Sequence, residues 1–342
     1  MARRPRVDLE AELSRQASRA GGAEGLEPFF AACRAQGLFA HFNEADERAT
    51  RLQVWHRLLA GLAAGAGTFA LLLGLLQLGL PNLHSRGLLI AEGILIVLTF
   101  LAVFIGWMFD RHKAWLLWRF RAEQYRLLVF RLLADPVFWR TGKPGERSIT
   151  PEKVAAVSEL ELDALARKEP SPWTPTSNPS SSLPAALLPF YQGARLESQI
   201  VYFRGTVERE EKKFVITNRR LAPVFLFTGV VFVVAHLIVE LTAERYAEAR
   251  EDWRQASVLL LAISAMWPTA YAGIRTWRSA NEYSRNAARA KAKLGVLSEY
   301  ATALEREKGN PAGVFALLAM AEGLLEAEQR EWLRLMLDAE WF

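Results

Sequence analysis

Long uncharged apolar runs alternate along this chain with segments dense in charge. Residues 58–80, 221–239 and 256–274 contain no Asp, Glu, Lys or Arg, and residues 87–109 carry only Glu92. A helix rises about 1.5 Å per residue and a bilayer's hydrocarbon core is about 30 Å thick, so each run is close to the roughly 20 residues a crossing needs. The pattern predicts four transmembrane helices in two hairpins.

The segments around the hairpins read as helices too. A lead-in over residues 26–57 enters the first hairpin, which turns at residues 81–86, and residues 110–134 form a long exit helix. The second half repeats the plan, with a lead-in over 187–220 and an exit helix over 275–308. Both halves start and finish on one side, so the reading is a parallel internal duplication, not an inverted one. A local echo accompanies it, Glu123, Tyr125 and Arg126 against Glu282, Tyr283 and Arg285. The expected fold is therefore an all-α integral membrane protein with long cytosolic helical extensions. Its divisions are 1–57 (cytosolic lead-in), 58–134 (first hairpin and exit helix), 135–168 (connector with a short helix), 169–189 (linker), 190–308 (second hairpin unit) and 309–342 (C-terminal cytosolic helix). The linker is assigned from Pro170, Pro172, Pro175, Pro179 and Pro184 among serines, a composition that cannot propagate a helix.

Charge sets the orientation, because cations near span ends stay in the cytosol. Arg48, Arg51, Arg57, Arg111, Lys113, Arg119, Arg121 and Arg126 flank the first hairpin; Arg209, Lys212, Lys213, Arg219, Arg220, Arg275, Arg278, Arg285, Arg289 and Lys291 flank the second. These eighteen face only Arg86, Arg245, Arg250 and Arg254 in the intervening loops. Both termini are expected in the cytoplasm and the protein in the cell inner membrane. The net charge of +5 is then a topology signal, and no direct nucleic-acid binding is expected. Residues 1–13 lack the apolar core of a secretion signal. Cys33 stands alone, and the five histidines show no ligand spacing, so no metal and no cofactor are expected. No phosphate-binding loop, dinucleotide fingerprint or nucleophile elbow is present, and Gly142-Lys143-Pro144-Gly145 reads as a turn. The chain is not read as an enzyme.

Polar residues within the runs are candidates for function. At about 1.5 Å per residue, Gln77, Glu92 and His236 lie roughly 5–8 Å below the outer surface, where they form a polar collar that lines an aqueous path or bonds to neighbouring helices. Gly61, Gly65, Gly67 and Gly74 give the first span a small-residue face for close helix packing. Pro268 removes one backbone hydrogen bond from the fourth span and predicts a kink. In the first exit helix, Glu123 is placed to pair with Arg119 and Arg126. That helix reads as solvated or lying at the headgroup level, marked by Trp115 and Trp118, and also as a packing surface against the second exit helix or another subunit, two readings that can hold together.

Tyr191, Arg195-x-x-x-Gln199, Tyr202 and Phe203 precede the second hairpin, and Glu322, Glu328 and Trp332 stand in A-E-G-L-L-E-A-E-Q-R-E-W near the end. With these residues, 187–342 resembles the SLATT family, the SMODS and SLOG-associating two-transmembrane effectors. The first half matches in architecture and in Ala122, Glu123 and Arg126, as if two units stood in tandem. The resemblance implies an oligomeric, pore-forming or membrane-disrupting effector of prokaryotic antiviral defence. Its trigger would come from a separately encoded sensor or nucleotide-signalling protein. A non-conducting membrane scaffold and a small channel or transporter are the alternatives.

Overall fold

A computed structural model describes residues 8–79, 86–108, 111–145, 149–169, 184–243, 250–281 and 283–338. The expected turn of the first hairpin (81–85), most of the Pro/Ser linker (170–183) and Arg245 of the second intervening loop lie outside the described residues. Among those described there is no strand. The first half contains α1 (Leu9–Arg19), α2 (Ala23–Ala35), α3 (Leu38–Gly79), α4 (Arg86–Met108) and α5 (Arg111–Leu133). The connector holds α6 (Pro136–Thr141), α7 (Pro151–Ala156), a 3-10 turn (Glu159–Glu161) and α8 (Leu162–Arg167), more helix than the single short one expected. The second half contains α9 (Leu187–Tyr191), a π turn (Gln192–Glu197), α10 (Ser198–Phe214), a second π turn (Val215–Leu221), α11 (Ala222–Ala243), α12 (Arg250–Asn281), α13 (Tyr283–Arg306) and α14 (Pro311–Asp338).

Contacts divide the chain into two compact units that cut across its linear order. The first unit gathers the described residues of 8–54, 111–206 and 289–338; the second gathers those of 55–108 and 207–288.

In the first unit, α1 is amphipathic, with Leu9, Leu13 and Ala17 buried at four-residue spacing. Asp8 caps it by accepting the Ala11 N–H at 3.2 Å, and the Leu9 N–H donates to Asn43 Oδ1 at 3.1 Å. The lead-in expected as one helix over 26–57 is interrupted. Gly37 stands at φ 65°, a left-handed conformation that glycine adopts without a Cβ clash, so α2 stops and a separate helix starts at Leu38. Phe29 and Phe30 of α2 meet Phe190 of α9 edge-to-face at 6.0 and 6.1 Å, the geometry that sets the positive rim of one ring against the face of the next. The first exit helix corresponds to α5, and it is neither solvated nor at the edge of its unit. Leu116, Ala122, Val129 and Leu132 are fully buried along it, and it packs against α2, α7 and α14.

In the second unit the burial pattern of a soluble protein is reversed. Leu71, Phe100 and Phe227 point outward and are well over half exposed, which is the arrangement a hydrocarbon solvent selects. Among the described residues, three helical stretches are long and apolar enough to cross a membrane, within Leu38–Gln77, Arg86–Gly106 and Gln255–Arg275; the apolar stretch Pro223–Val239 of α11 is shorter. Small residues bring these helices close. A Cβ on Gly67 would stand 3.3 Å from Thr99 of α4, and one on Gly273 of α12 would stand 2.5 Å from Thr68 Oγ1 of α3. Such approaches replace the hydrophobic drive that lipid cannot provide.

Candidate functional site

The densest chemistry in the first unit lies along one face of α14. Glu322, Glu326, Gln329 and Arg330 recur at helical spacing and are all buried, between the buried Leu318, Leu325 and Leu333. A buried charge is tolerated only when paired and hydrogen-bonded, and each of these is.

Glu322, fully buried, accepts three bonds. Tyr191 Oη and Arg195 Nε donate to its Oε1 at 2.8 and 2.9 Å, and Arg195 Nη2 donates to its Oε2 at 2.7 Å. The arginine is thus bidentate, the strongest geometry open to a carboxylate–guanidinium pair. Its guanidinium also lies 4.6 Å from the centre of the Phe130 ring on α5. Burial, and then the adjacent carboxylate, push the Tyr191 phenol well above its ordinary value, so it stays a donor. Arg195 stands in the π turn one turn after Tyr191, a helix widening that recurs at functional positions.

One turn further along, Glu326 bridges two arginines. Arg131 Nη2 of α5 donates to its Oε2 at 2.5 Å, and Arg330 donates to its Oε1 through Nη2 at 2.6 Å and Nε at 3.1 Å. Arg330 Nη1 continues to the carbonyls of Leu165 and Lys168 around α8. Gln124 Nε2 donates to Gln329 Oε1 at 3.0 Å, and Gln329 Nε2 donates to the Phe120 carbonyl at 3.1 Å. Near the end of α14, Trp332 meets Trp115 edge-to-face at 6.0 Å, and His112 Nε2 donates to the Met336 carbonyl at 2.9 Å. The helix therefore grips α5 from its first turn to its last, and α9 with its π turn.

Glu123 belongs to a second cluster on α5. Arg119 Nη2 lies 2.5 Å and Arg126 Nη1 3.3 Å from its oxygens, while Arg119 Nη1 reaches Asp46 of α3 at 3.1 Å. Burial raises the Glu123 carboxyl, but Arg126, Arg119 and Arg195 outweigh it and hold it at about 2. A carboxyl whose folded value lies below its ordinary 4.5 stabilises the fold above that pH and loses the contribution as pH falls toward 2. Glu123→Gln is therefore expected to cost about 1–3 kcal/mol at pH 7 and nearly nothing at pH 2. Thermal midpoints of the two proteins across pH 2–7 check this through the narrowing gap between the curves.

The remaining lead-in and α14 residues divide. Arg195 and Glu322, 127 positions apart, meet. Gln199 is half-buried and Tyr202 is exposed, its ring edge-on to Phe203 at 5.3 Å, and the side chains that hydrogen-bond Glu322 among the described residues are Tyr191 and Arg195 instead. Glu328 is half-buried on α14 and, among the described residues, has no hydrogen-bond or ion-pair partner.

In the second unit the three polar positions resolve into two pairs. Gln77 Nε2 donates to Glu92 Oε2 at 3.0 Å between α3 and α4, and Gln77 is buried. Gly74 makes the room, since a Cβ there would stand 2.9 Å from Glu92 Oε1. His236 Nδ1 of α11 lies 3.0 Å from the Ser257 carbonyl and 3.2 Å from its Oγ on α12, so Nδ1 carries the proton. Of the glycines, Gly67 and Gly74 receive α4, Gly61 is half-buried, and a Cβ on Gly65 would meet nothing within 4 Å. Pro268 lies inside the continuous α12, beside Trp267, whose ring packs on Phe225 and Phe232 at 5.4 and 6.5 Å.

Sequence reasoning passed over Arg131, Glu326, Gln329, Arg330 and Ser257. The signal for most of them was present: glutamate, glutamine and arginine at positions 322, 326, 329 and 330 share one face with leucines, where an amphipathic helix would be apolar throughout. Among the described residues no group of three acidic, histidine or cysteine side chains is placed to hold a metal.

Comparison with protein-family models, curated proteins and solved structures returns no match for this chain.

Proposed function

We propose that the protein is an oligomeric effector of the inner membrane that forms a pore or disrupts the bilayer when a separate partner acts on its cytosolic helices. In this reading α11 completes a set of four spans in two parallel hairpins, the termini are cytoplasmic, and the two halves are tandem SLATT-like units. The observation that carries it is the grip of α14. By buried, charge-paired contacts it joins α5, which follows the first hairpin in sequence, to α9 and its π turn, which precede the second. A force or ligand that moves this helix therefore acts on the segment that follows the first hairpin in sequence and on the one that leads toward the second, the coupling a triggered membrane protein needs.

Purified protein in sealed liposomes tests the proposal. Release of an entrapped dye with rising protein density supports an effector; vesicles that stay sealed at every density, with and without a candidate partner, overturn it. The Glu92→Leu, His236→Leu double variant is expected to cut leakage at least about tenfold if these polar groups line the path. Unchanged leakage would remove them from it.

A non-conducting scaffold is favoured by one observation. Gln77 with Glu92, and His236 with Ser257, satisfy each other across helix pairs, as groups that only pack would do. Sealed vesicles together with recruitment of a cytosolic complex would establish that role instead.

A further inference from the structure

Every carboxylate along the α5–α14 seam has a cationic partner except one. Glu322 has Arg195, Glu326 has Arg131 and Arg330, and Glu123 has Arg119 and Arg126. Glu328, on the same helix, is half-buried and has no ion-pair or hydrogen-bond partner among the described residues. The charges that act on it come from three helices. From α5 these are Glu123, which repels, and Arg119, which feels its field; from α13, Lys293 and Arg289, which attract; and from its own helix, Glu331, which repels. Lys293 is drawn toward Glu331, Nζ to Oε2 at 3.8 Å, and Arg119 is committed to Glu123 and Asp46. Arg119 and Lys293 are thus each engaged by another acid, and neither pairs with Glu328.

We propose that Glu328 makes the docking of α14 proton-sensitive: protonated, it lets the helix lie against Glu123 of α5; ionised, it repels that carboxylate, turns toward Lys293 and Arg289, and loosens the grip. Burial first, and then Glu123, push its carboxyl up to about 7. The direction of the effect follows from linkage. The docked state keeps a proton that the undocked helix releases near the ordinary 4.5, so docking is at full strength below that pH and weakens as pH rises to about 7, with no further loss above it. This is opposite in sign to Glu123, which strengthens the fold as pH rises from 2 to 4.5. The two carboxyls together confine the tightest docking to mildly acidic conditions. A rise toward neutrality in the cytosol then primes α14 for release without any change in covalent structure. The inference holds whether or not the spans conduct.

Hydrogen exchange of the α14 amides in the full chain, held in lipid nanodiscs and corrected for intrinsic rates, reads the docking equilibrium directly. In the wild type, protection is expected to fall about tenfold between pH 5 and 8, and in Glu328→Gln, which keeps the neutral form at every pH, by less than about twofold. Glu331→Gln, on the same helix, should retain most of the wild-type fall. Two further variants move the transition in opposite directions: Lys293→Met, which removes an attracting cation, to higher pH, and Glu123→Gln, which removes the repelling anion, to lower pH. A wild-type profile that is flat, or a fall of equal size in Glu328→Gln, overturns the proposal. Should Glu328→Gln fail to fold, shifts of the same sign in Lys293→Met and Glu123→Gln would overturn it as well.

Discussion

Glu322→Ala is expected to lower the apparent thermal midpoint of the protein by about 10 °C, the largest effect of any single truncation in the first unit. The reason is what it leaves behind. Arg195 is 4 % exposed and makes both of its strong bonds to this one carboxylate, so removing Glu322 strands a guanidinium in the interior along with the Tyr191 hydroxyl. Breaking a buried pair from one side costs about 3–5 kcal/mol, and each kcal/mol moves the midpoint of a 150–250-residue unit by about 2–4 °C. Removing both charges behaves differently. Glu322→Leu with Arg195→Leu and Tyr191→Phe leaves no orphan, and is expected to recover most of the loss, because two well-packed apolar groups replace a pair whose desolvation offset much of its attraction. Scanning fluorimetry at one heating rate, chosen because membrane proteins unfold irreversibly, compares the three proteins. A loss under about 1 kcal/mol for Glu322→Ala would show that the pair is solvated and the seam open.

Gly79→Ile is expected to separate α3 from α12 in the membrane unit. A Cβ at position 79 would stand 2.6 Å from Ala262 Cβ and 3.4 Å from Leu259 Cα; neither atom can swing aside without moving the α12 backbone. Overpacking of this kind costs about 1–3 kcal/mol and is relieved by helix displacement. A crosslink reports the displacement. A Cβ added at Gly273 would stand 3.3 Å from Thr68 Cβ, close to disulfide spacing, so Thr68→Cys with Gly273→Cys, in a Cys33→Ala background, should oxidise to a disulfide. Adding Gly79→Ile is expected to reduce the crosslinked fraction several-fold. Equal crosslinking with and without the isoleucine would mean that the two helices do not cross at Gly79.

The membrane character of the second unit was legible because it depends on local composition. Apolar runs of about 20 residues need no partner to identify them, and α4 ends within a residue or so of the run that predicts it. Gly37 was legible in principle as a helix stop, yet the helical period on both sides of it hid the break. The position of α5 was not legible. Its arginines and tryptophans allowed a headgroup helix as well as a packing one, and nothing local named α2, α7 and α14 as its neighbours or turned its arginines onto Asp46, Glu123 and Glu326. The same holds for Arg195 and Glu322. Each could be singled out by its neighbours in sequence, but their meeting across 127 residues could not.

What the sequence alone determined is which stretches of this chain are apolar and long enough to sit in lipid, since the transfer free energy of a run of side chains is close to a sum over its own residues. What only the tertiary structure decided is how the charges pair. Ion pairing falls steeply with distance and reverses with burial, so whether Glu322, Glu123 or Glu328 is held, depressed or raised depends on which helices pack beside it. That packing joins segments far apart in the chain, and no local pattern encodes it.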